Sequence, residues 1–223
     1  MVILAIAAVL SVAAVGTAPN RQPQLAAGNG IVAMVFGSGD GIWLVQSADN
    51  GPSFGSPAKI ADLPKLMLGR HRGPRVTLSG KAMVVSAVGS EAGDLMAWRS
   101  TDGGRTWSSS TAINDVPKAA REGLHAMAGD PQGHMAAVWL DDRIGPNGKR
   151  LWGAFSEDAG ATWSKNVMLY ESPSGTICEC CHPSLSALGN EDFVVMWRNS
   201  LDGSRDLYTR RLHGGRPSGP PVK

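Results

Sequence analysis

A short motif recurs three times along this 223-residue chain and constrains its fold more than any other feature. It reads Ser-x-Asp-x-Gly-x-Ser/Thr-aromatic, in "SADNGPSF" from Ser47, "STDGGRTW" from Ser100 and "SEDAGATW" from Ser156. The copies start 53 and 56 residues apart, and a further step reaches "RLHGGRPSGPP", where only the pair Gly214 and Gly215 survives. Because a fixed period indicates a repeat architecture, we interpret that last stretch as an eroded fourth copy.

The segments between the copies predict β-strands. Runs such as "PRVTLS", "AMVVSAV" and "MAAVWL" are rich in Val and Ala and are separated by Gly, Asp and Asn, and no window shows a long amphipathic helix. Each repeat therefore predicts a four-stranded antiparallel meander with the motif in its last hairpin. Radial repetition of such sheets makes an all-β propeller. The predicted blades cover about 28–65, 66–118, 119–172 and 173–216, followed by a tail over 217–223.

The motif residues themselves favour a structural role. The glycine tolerates the positive φ of a tight turn, and the aspartate accepts hydrogen bonds from free N–H groups of the loop. The aromatic residue is expected to open the outer strand and to be buried against the neighbouring sheet. These positions are, copy by copy, Asp49, Gly51 and Phe54, then Asp102, Gly104 and Trp107, then Asp158, Gly160 and Trp163.

The repeats resemble those of the Asp-box proteins, also called BNR-repeat or sialidase-like β-propellers, over roughly residues 30–216. More narrowly, "RHRGPRV", "AREGLHAMA", "VWLDDR", "ICECCHPSL" and "MWRNSLDGSRDLY" are together similar to a bacterial branch labelled exo-α-sialidase or sialidase family protein. The resemblance implies a six-bladed propeller, of which this chain has material for about three to four blades. It also implies recognition or hydrolysis of acidic glycans, a chemistry that requires no cofactor.

The resemblance implies that arginine residues bind the carboxylate of the sugar. Sialidases of this fold hold the sugar carboxylate with arginines, whose planar fork meets a carboxylate in bidentate fashion. "HRGPR" is similar to the family's Arg-x-Pro motif, which makes Arg72 the first candidate. The blade face opposite the motif hairpins collects the other charged loops, and it adds Asp141, Arg143 and Arg198 as candidate catalytic residues.

Each of these candidates also has a structural interpretation. Asp141 and Arg143 can form a loop ion pair, and Arg198 can lock the long turn expected in "RNSLDGSRD". The resemblance implies a tyrosine nucleophile, but neither Tyr170 nor Tyr208 occupies a matching position. A scaffold for protein interaction, without chemistry, therefore stays open as a further function.

The stretch "TICECCHPSL" holds all three cysteines, Cys178, Cys180 and Cys181, followed by His182. It precedes a predicted innermost strand, as does His125, so we expect both near the propeller axis. A disulfide such as Cys178 with Cys181 would leave one thiol over. Thiolates with His182 or His125 would suit Cu(I) or Zn(II), although adjacent side chains in this tight spacing tend to point apart. An inert reduced cluster is the third interpretation of the cysteines. His125, which alternates with apolar neighbours, has its own alternative as a hydrogen-bonded core residue.

The net charge and the N-terminal segment limit the remaining partners and locations. With 21 basic and 19 acidic residues the net charge is +2, which gives no electrostatic footprint for nucleic acid. The apolar "MVILAIAAVLSVAAVGTA" precedes the first basic residue, Arg21, and predicts an export signal or N-terminal anchor over 1–22, with a cropped gene start as the third reading. We therefore expect a periplasmic or extracellular protein whose partner is an acidic carbohydrate, with no membrane contact other than such an anchor.

Overall fold

The structure, a computed structural model, describes residues 12–145, 148–173 and 176–223, and these residues form four antiparallel sheets without a helix. The strands in chain order are β1 (Arg21–Gly28), β2 (Ile31–Ser38), β3 (Gly41–Ser47), β4 (Ala58–Asp62), β5 (Arg75–Ser79), β6 (Ala82–Val88), β7 (Leu95–Ser100), β8 (Thr111–Ala112), β9 (His125–Gly129), β10 (Met135–Asp141), β11 (Arg150–Ser156), β12 (Val167–Tyr170), β13 (Thr176–Ile177), β14 (Ser184–Gly189), β15 (Asp192–Leu201), β16 (Ser204–His213) and β17 (Arg216–Val222).

Each sheet is one blade. Blades 1, 2 and 3 are the meanders β1 to β4, β5 to β8 and β9 to β12, with strands hydrogen-bonded in chain order. In blade 4 both β13 and β14 pair with β15, and β16 and β17 follow. The innermost strands contact one another in the order β1, β5, β9 and β14. This arrangement confirms the predicted all-β propeller of four-stranded antiparallel blades.

Apolar clusters join each blade to the next. Period-2 alternation sends Val85 of β6 toward blade 1 and Val84 toward blade 3, because successive side chains of a strand point to opposite faces. All seven residues of β6 and of β10 are therefore buried, as expected of strands covered on both faces. Of the three clusters formed by the described residues, one joins blades 1 and 2, one joins blades 2 and 3, and one joins blades 3 and 4.

The three motif copies form the same hydrogen-bonded turn between the third and fourth strands of their blades. In the second copy, the Ser100 hydroxyl donates to Asp102 Oδ1 over 2.8 Å and accepts from the Gly104 N–H over 2.9 Å. The Thr106 hydroxyl donates to Asp102 Oδ2 over 2.6 Å. Equivalent bonds surround Asp49 and Asp158. The aspartate thus ties both sides of the turn together.

These hydrogen bonds stabilise the ionised aspartates and make the turns sensitive to acid. Hydrogen bonds from Ser47 and Ser53 lower the pKa of Asp49 to about 2, and those from Thr106 and Ser100 lower the pKa of Asp102 further below its ordinary value. Burial alone would raise the pKa of Asp158, but hydrogen bonds from Thr162 and Ser156 outweigh the effect of burial, and the pKa of Asp158 is lowered. The folded state therefore favours the carboxylate form of all three.

We expect the thermal stability of the protein to fall as the pH drops from about 4, the ordinary aspartate value, to about 2. A lowered folded-state pKa contributes stability above the unfolded value, and this contribution is lost as the pH falls through the folded value. Melting temperatures between pH 7 and pH 2, followed by circular dichroism, give the measurement. Asp49→Asn removes one titrating group, so its melting temperature should fall less steeply between pH 4 and pH 2, and an unchanged slope would contradict this account.

The glycine of the motif brings each blade against the preceding one. A Cβ on Gly104 would lie 2.8 Å from Leu44 Cδ2, one on Gly160 would lie 2.7 Å from Val84 Cγ2, and one on Gly215 would lie 2.9 Å from Phe155. All three have φ between +78° and +85°, a region that glycine adopts readily. Gly215 therefore keeps the packing role in blade 4 that the rest of the eroded copy has lost.

The aromatic residues of the motif depart from the prediction. Phe54, Trp107 and Trp163 are half-buried, and each lies four residues before its outer strand begins. Trp107 packs on the cluster between blades 1 and 2, and Trp163 on the cluster between blades 2 and 3. The Trp107 Nε1–H donates to the Gly104 carbonyl over 3.2 Å. Each of the two indoles thus packs at the junction between two blades and stays partly exposed.

Several predicted boundaries also differ. The expected tail over 217–223 largely belongs to β17, the outer strand of blade 4, because the eroded copy still turns the chain back along β16. The "RNSLDGSRD" stretch, expected as a loop, is a long hairpin joined at Asp202 and Gly203, with φ of 51° and 79°. Residues 1–11 of the predicted export segment lie outside the described residues, and β1 begins at Arg21. Among the residues that are described, no helix is long and apolar enough to cross a membrane.

Candidate functional site

Polar side chains gather where the innermost strands of blades 2, 3 and 4 begin. Arg75 is the first residue of β5, His125 is the first residue of β9, and His182 lies in the loop before β14. The Arg75 Nε–H donates to His182 Nε2 over 3.1 Å and so links blade 2 to blade 4. We call Arg75, His125, His182 and Arg198 the axial cluster; the three cysteines lie beside it in the loop before β14.

Arg75 is the charged group at the centre of this cluster. Its guanidinium donates to the backbone carbonyls of His71, over 2.6 Å, and Pro74, over 3.0 Å. Burial lowers the pKa of Arg75 to about 10. None of the ion pairs within the described chain involves Arg75. The Arg75 guanidinium is thus held by neutral acceptors, and no carboxylate among the described residues forms an ion pair with it.

The two histidines beside Arg75 are held neutral. His125 is 1% exposed, and its Nε2 lies 3.0 Å from the Ser86 hydroxyl. Burial, then the charges of Arg75 and His182, lowers the pKa of His125 well below its ordinary value. Burial and Arg75 likewise lower the pKa of His182 to about 4. Because His182 Nε2 accepts a hydrogen bond from Arg75, its imidazole is the neutral form, and the cluster carries uncompensated positive charge.

Arg72, the first arginine candidate, is engaged by a carboxylate. It donates to the backbone carbonyl of Glu122 and, over 3.2 Å, to its side chain. Glu122 also pairs with Lys149 over 2.9 Å, and Lys149 with Asp142 over 3.4 Å. Arg72 is therefore one member of an ion-pair network on the loops of blades 2 and 3.

Asp141 and Arg143 form the loop ion pair that was the alternative to a catalytic role. The Asp141 side chain is fully buried and accepts hydrogen bonds from Arg143 Nε and Nη2 and from Trp139 Nε1, at 2.8 to 3.0 Å. Arg143 also pairs with Asp115 over 3.0 Å, and its guanidinium stacks 3.9 Å from the Trp152 ring centroid. These contacts fill the hydrogen-bonding capacity of both groups.

Arg198 is the predicted arginine that the structure places in the axial cluster. Its Nη1 lies 3.9 Å from Cys181 Sγ, and its Nε donates to the Arg205 carbonyl over 3.4 Å. Arg198 therefore contacts Cys181, and Arg75 contacts the next residue, His182. The "HRGPR" motif indicated Arg72 and not Arg75, although the position of Arg75 at the start of the predicted innermost strand could have indicated it.

The cysteine loop forms a tight turn that gathers all three sulfurs. Cys178 and Cys181 are joined by a disulfide, and Cys180 is an exposed thiol. The three Sγ atoms lie within 4.8 Å of one another, with Cys180 Sγ 3.4 Å from Cys178 Sγ. The expectation that adjacent side chains point apart fails here, because it holds for an extended strand and this loop is a turn.

The predicted histidine ligands do not join the three sulfurs. His182 turns its Nε2 to Arg75 and His125 turns its Nε2 to Ser86. Both rings thus present this nitrogen to a protein partner rather than to the cysteines. The potential ligand set given by the described residues is the cysteine triad alone.

The two tyrosines lie in an aromatic cluster between blades 3 and 4, away from the axial cluster. The Tyr170 and Trp197 ring centroids are 4.6 Å apart, and the Trp197 and Tyr208 centroids are 6.1 Å apart. Asn199 donates to the Tyr170 hydroxyl over 3.1 Å. Packing therefore explains both residues.

A cavity of about 710 Å³ lies on the opposite face of the propeller, between blades 3 and 4. Its lining includes Phe155, Trp163, Phe193 and Gly215. In blades 2 and 3 a tryptophan three positions after the motif glycine packs over the corresponding junction, whereas Ser218 stands at that position in blade 4. The eroded motif copy thus accounts for this cavity.

Comparison with known proteins gives matches in structure only. No family model and no curated protein matches the chain. Among solved structures, it is similar to the Penicillium chrysogenum alpha-L-arabinanase complexed with arabinobiose, at 13% identity and a TM-score of 0.57 over 91% of this chain and 66% of that one. It is similar to the Hadza microbial sialidase Hz136, at 19% identity and 0.56 over 85% of this chain and 44% of that one.

A third similar structure is the NanB sialidase from Streptococcus pneumoniae, at 15% identity and a TM-score of 0.60 over 89% of this chain and 31% of that one. The chain therefore spans about two thirds or less of the proteins that it matches. Likeness at these identities shows the fold, and the fold is that of the sialidase and arabinanase β-propellers.

Proposed function

We propose that this chain is a carbohydrate-recognition β-propeller of the Asp-box, sialidase-like kind, and that its axial cluster binds the anionic group of an acidic glycan. The observation that carries the proposal is Arg75, a buried guanidinium surrounded by neutral acceptors. Removing a charge from water is costly unless an opposite charge compensates it. A bound carboxylate would supply that charge.

A planar anion at Arg75 would share N–H groups that now donate to neutral acceptors, His182 Nε2 and the His71 and Pro74 carbonyls. A guanidinium presents its N–H groups as a fork that matches the two oxygens of a carboxylate. Arg198, whose Nη1 lies 3.9 Å from Sγ of the adjacent Cys181, offers a second guanidinium at the same loop. His182, which accepts the Arg75 Nε–H, is neutral at pH 7, so the positive charge of the site comes from the two arginines. Similarity to proteins named as sialidases and as an arabinanase supports a sugar as the molecule that carries the anion.

We propose recognition rather than hydrolysis. The candidate acid, Asp141, is held by Arg143 and Trp139, and both tyrosines are packed against Trp197. The disulfide between Cys178 and Cys181 supports action outside the cytoplasm, since disulfides persist in oxidising compartments. Export through residues 1–22 belongs to the same proposal.

Titration with N-acetylneuraminic acid, followed by calorimetry or by NMR, tests this function. Arg75→Gln should raise the dissociation constant at least about 30-fold, because losing one partner of a desolvated charge pair costs about 2 kcal/mol or more. Arg72→Gln is the matched control, since Arg72 pairs with Glu122, and it should bind as the wild type does. Equal affinity of Arg75→Gln and wild type, or equal affinity for neutral N-acetylglucosamine, would refute the proposal.

A further inference from the structure

The cysteine loop interrupts the innermost strand of blade 4. β13 ends at Ile177 and β14 begins at Ser184, and both pair with β15. The Cys178 N–H donates to the Arg198 carbonyl over 2.8 Å, and the Cys181 N–H donates to the Cys178 carbonyl over 3.1 Å. The second bond closes a four-residue turn. The turn places cysteines at its first, third and fourth positions and brings their sulfurs together.

The three sulfurs form a triangle, and this shape distinguishes thiol–disulfide exchange from metal binding. Thiol–disulfide exchange passes through a line of attacking, central and leaving sulfur atoms. With Cys180 Sγ 3.4 Å from Cys178 Sγ and a standard S–S bond of about 2.05 Å, such a line would separate Cys180 and Cys181 by about 5.5 Å. All three sulfurs lie within 4.8 Å of one another. The arrangement therefore does not suit in-line exchange.

A triangle of this size suits a single metal ion. Metal–sulfur bonds of about 2.3 Å place two thiolates about 3.8–4.0 Å apart. Cys180 Sγ lies 3.4 Å from Cys178 Sγ and within 4.8 Å of Cys181 Sγ, which brackets that value, whereas the Cys178 and Cys181 sulfurs are bonded to each other and must separate on reduction to reach it. Structural zinc takes four ligands, whereas the described residues bring three sulfurs together. Three soft thiolates without a fourth ligand favour Cu(I), which is stable with three sulfur ligands.

The charges around the loop favour the same ligand set. Three thiolates and one Cu(I) carry a net charge of −2, which needs compensation in a partly buried site. Arg198 Nη1 lies 3.9 Å from Cys181 Sγ, and Arg75 lies behind His182, the next residue. Cys180 is exposed and gives the ion access from solvent, whereas Cys178 is buried.

We propose that Cys178, Cys180 and Cys181 in their reduced form bind one Cu(I) ion, with Arg198 as the neighbouring counter-charge. A thiol reductant first converts the Cys178–Cys181 disulfide to two thiols, with transfer of two electrons and two protons, and its own thiols become a disulfide. Each cysteine then loses its proton as its sulfur binds the metal. A small-molecule disulfide then takes two electrons from the Cys178 and Cys181 thiolates and is reduced to two thiols with two protons from water, so that the Cys178–Cys181 disulfide forms again, the bonds of both sulfurs to Cu(I) break and the ion is released. This site goes beyond glycan recognition and does not depend on it.

The test is anaerobic titration of Cu(I) into the reduced full chain, against a chromophoric Cu(I) chelator, with native mass spectrometry for stoichiometry. We expect one Cu(I) per reduced chain and none per oxidised chain. Cys180→Ser removes one sulfur but keeps the disulfide pair, and it should weaken binding at least about a hundredfold. Arg198→Gln leaves all three sulfurs in place and should weaken binding about 10–100-fold, as expected of a group next to the ligands.

Equal uptake by Cys180→Ser and wild type would overturn the proposal, as would tighter binding of Zn(II) than of Cu(I) in direct competition. A reduced chain that loses its β-sheet circular dichroism, or that keeps it and takes up no Cu(I), would overturn it as well. Titration of Cys180→Ser with N-acetylneuraminic acid separates the two proposals. Retained sugar binding alongside lost copper binding is the expected pattern.

Discussion

Replacing Asp141 with alanine is expected to lower the free energy of unfolding by about 3–5 kcal/mol, the cost of breaking a buried ion pair by removing one partner. The Asp141 carboxylate is fully buried and accepts from Arg143 and from the Trp139 indole N–H. Its removal leaves the guanidinium of Arg143, a side chain that is only 11% exposed, without its main counter-charge. Chemical denaturation of variant and wild type at pH 7 gives the difference directly.

Asp115→Ala is the matched control for this pair. Asp115 contacts the same guanidinium over 3.0 Å, but its side chain is 29% exposed and Asp141 remains in place. We expect a cost of about 1–2 kcal/mol, in the range of a single lost hydrogen-bonding partner. If the two variants were equally destabilised, the buried pair would not be the centre of this network.

Gly160→Ala is expected to be the second large effect. Alanine at positive φ costs about 1–2 kcal/mol by itself, and Gly160 has a φ of +80°. The new Cβ would also lie 2.7 Å from Val84 Cγ2. Val84 is fully buried and β-branched, so it has little freedom to move. Overpacking adds about 1–3 kcal/mol, for a total of about 2–5 kcal/mol.

Gly103→Ala separates the two contributions to this cost. Gly103 has a similar φ of +76°, but nothing lies within 4 Å of a Cβ built there. Its replacement should therefore show the backbone contribution alone, about 1–2 kcal/mol. Equal effects of Gly103→Ala and Gly160→Ala in urea denaturation would mean that contact between blades 2 and 3 contributes nothing at this glycine.

The fold could be predicted from the sequence because its strongest signals are local and periodic. Ser100, Asp102, Gly104 and Thr106 form a turn almost entirely from their own hydrogen bonds, so the motif alone indicates the hairpin. The motif does not predict how its residues contact the neighbouring blade. Trp107 was expected to be buried and is half-buried, because its exposure depends on how blade 1 approaches the rim.

The candidate site was harder to predict because it depends on contacts between distant residues. Arg72 and Arg75 are three positions apart in "RHRGPRV", and nothing local shows which one pairs with a carboxylate and which one donates only to neutral acceptors. The answer depends on Glu122, which lies 50 residues further along and pairs with Arg72. The cysteine triad likewise depends on whether "CECC" is extended or turned, and β15 decides this by pairing on both sides of the loop.

The interruption of the innermost strand of blade 4 has a consequence for conformational entropy. Thr176 and Ile177 before the loop, and Ser184 after it, are hydrogen-bonded to the same strand, β15. The ends of the loop are thus fixed when the sheet forms, and the entropy of closing the loop is lost during folding rather than during binding. A ligand that uses this loop meets backbone already ordered by the blade, so its affinity is reduced little by ordering of the protein.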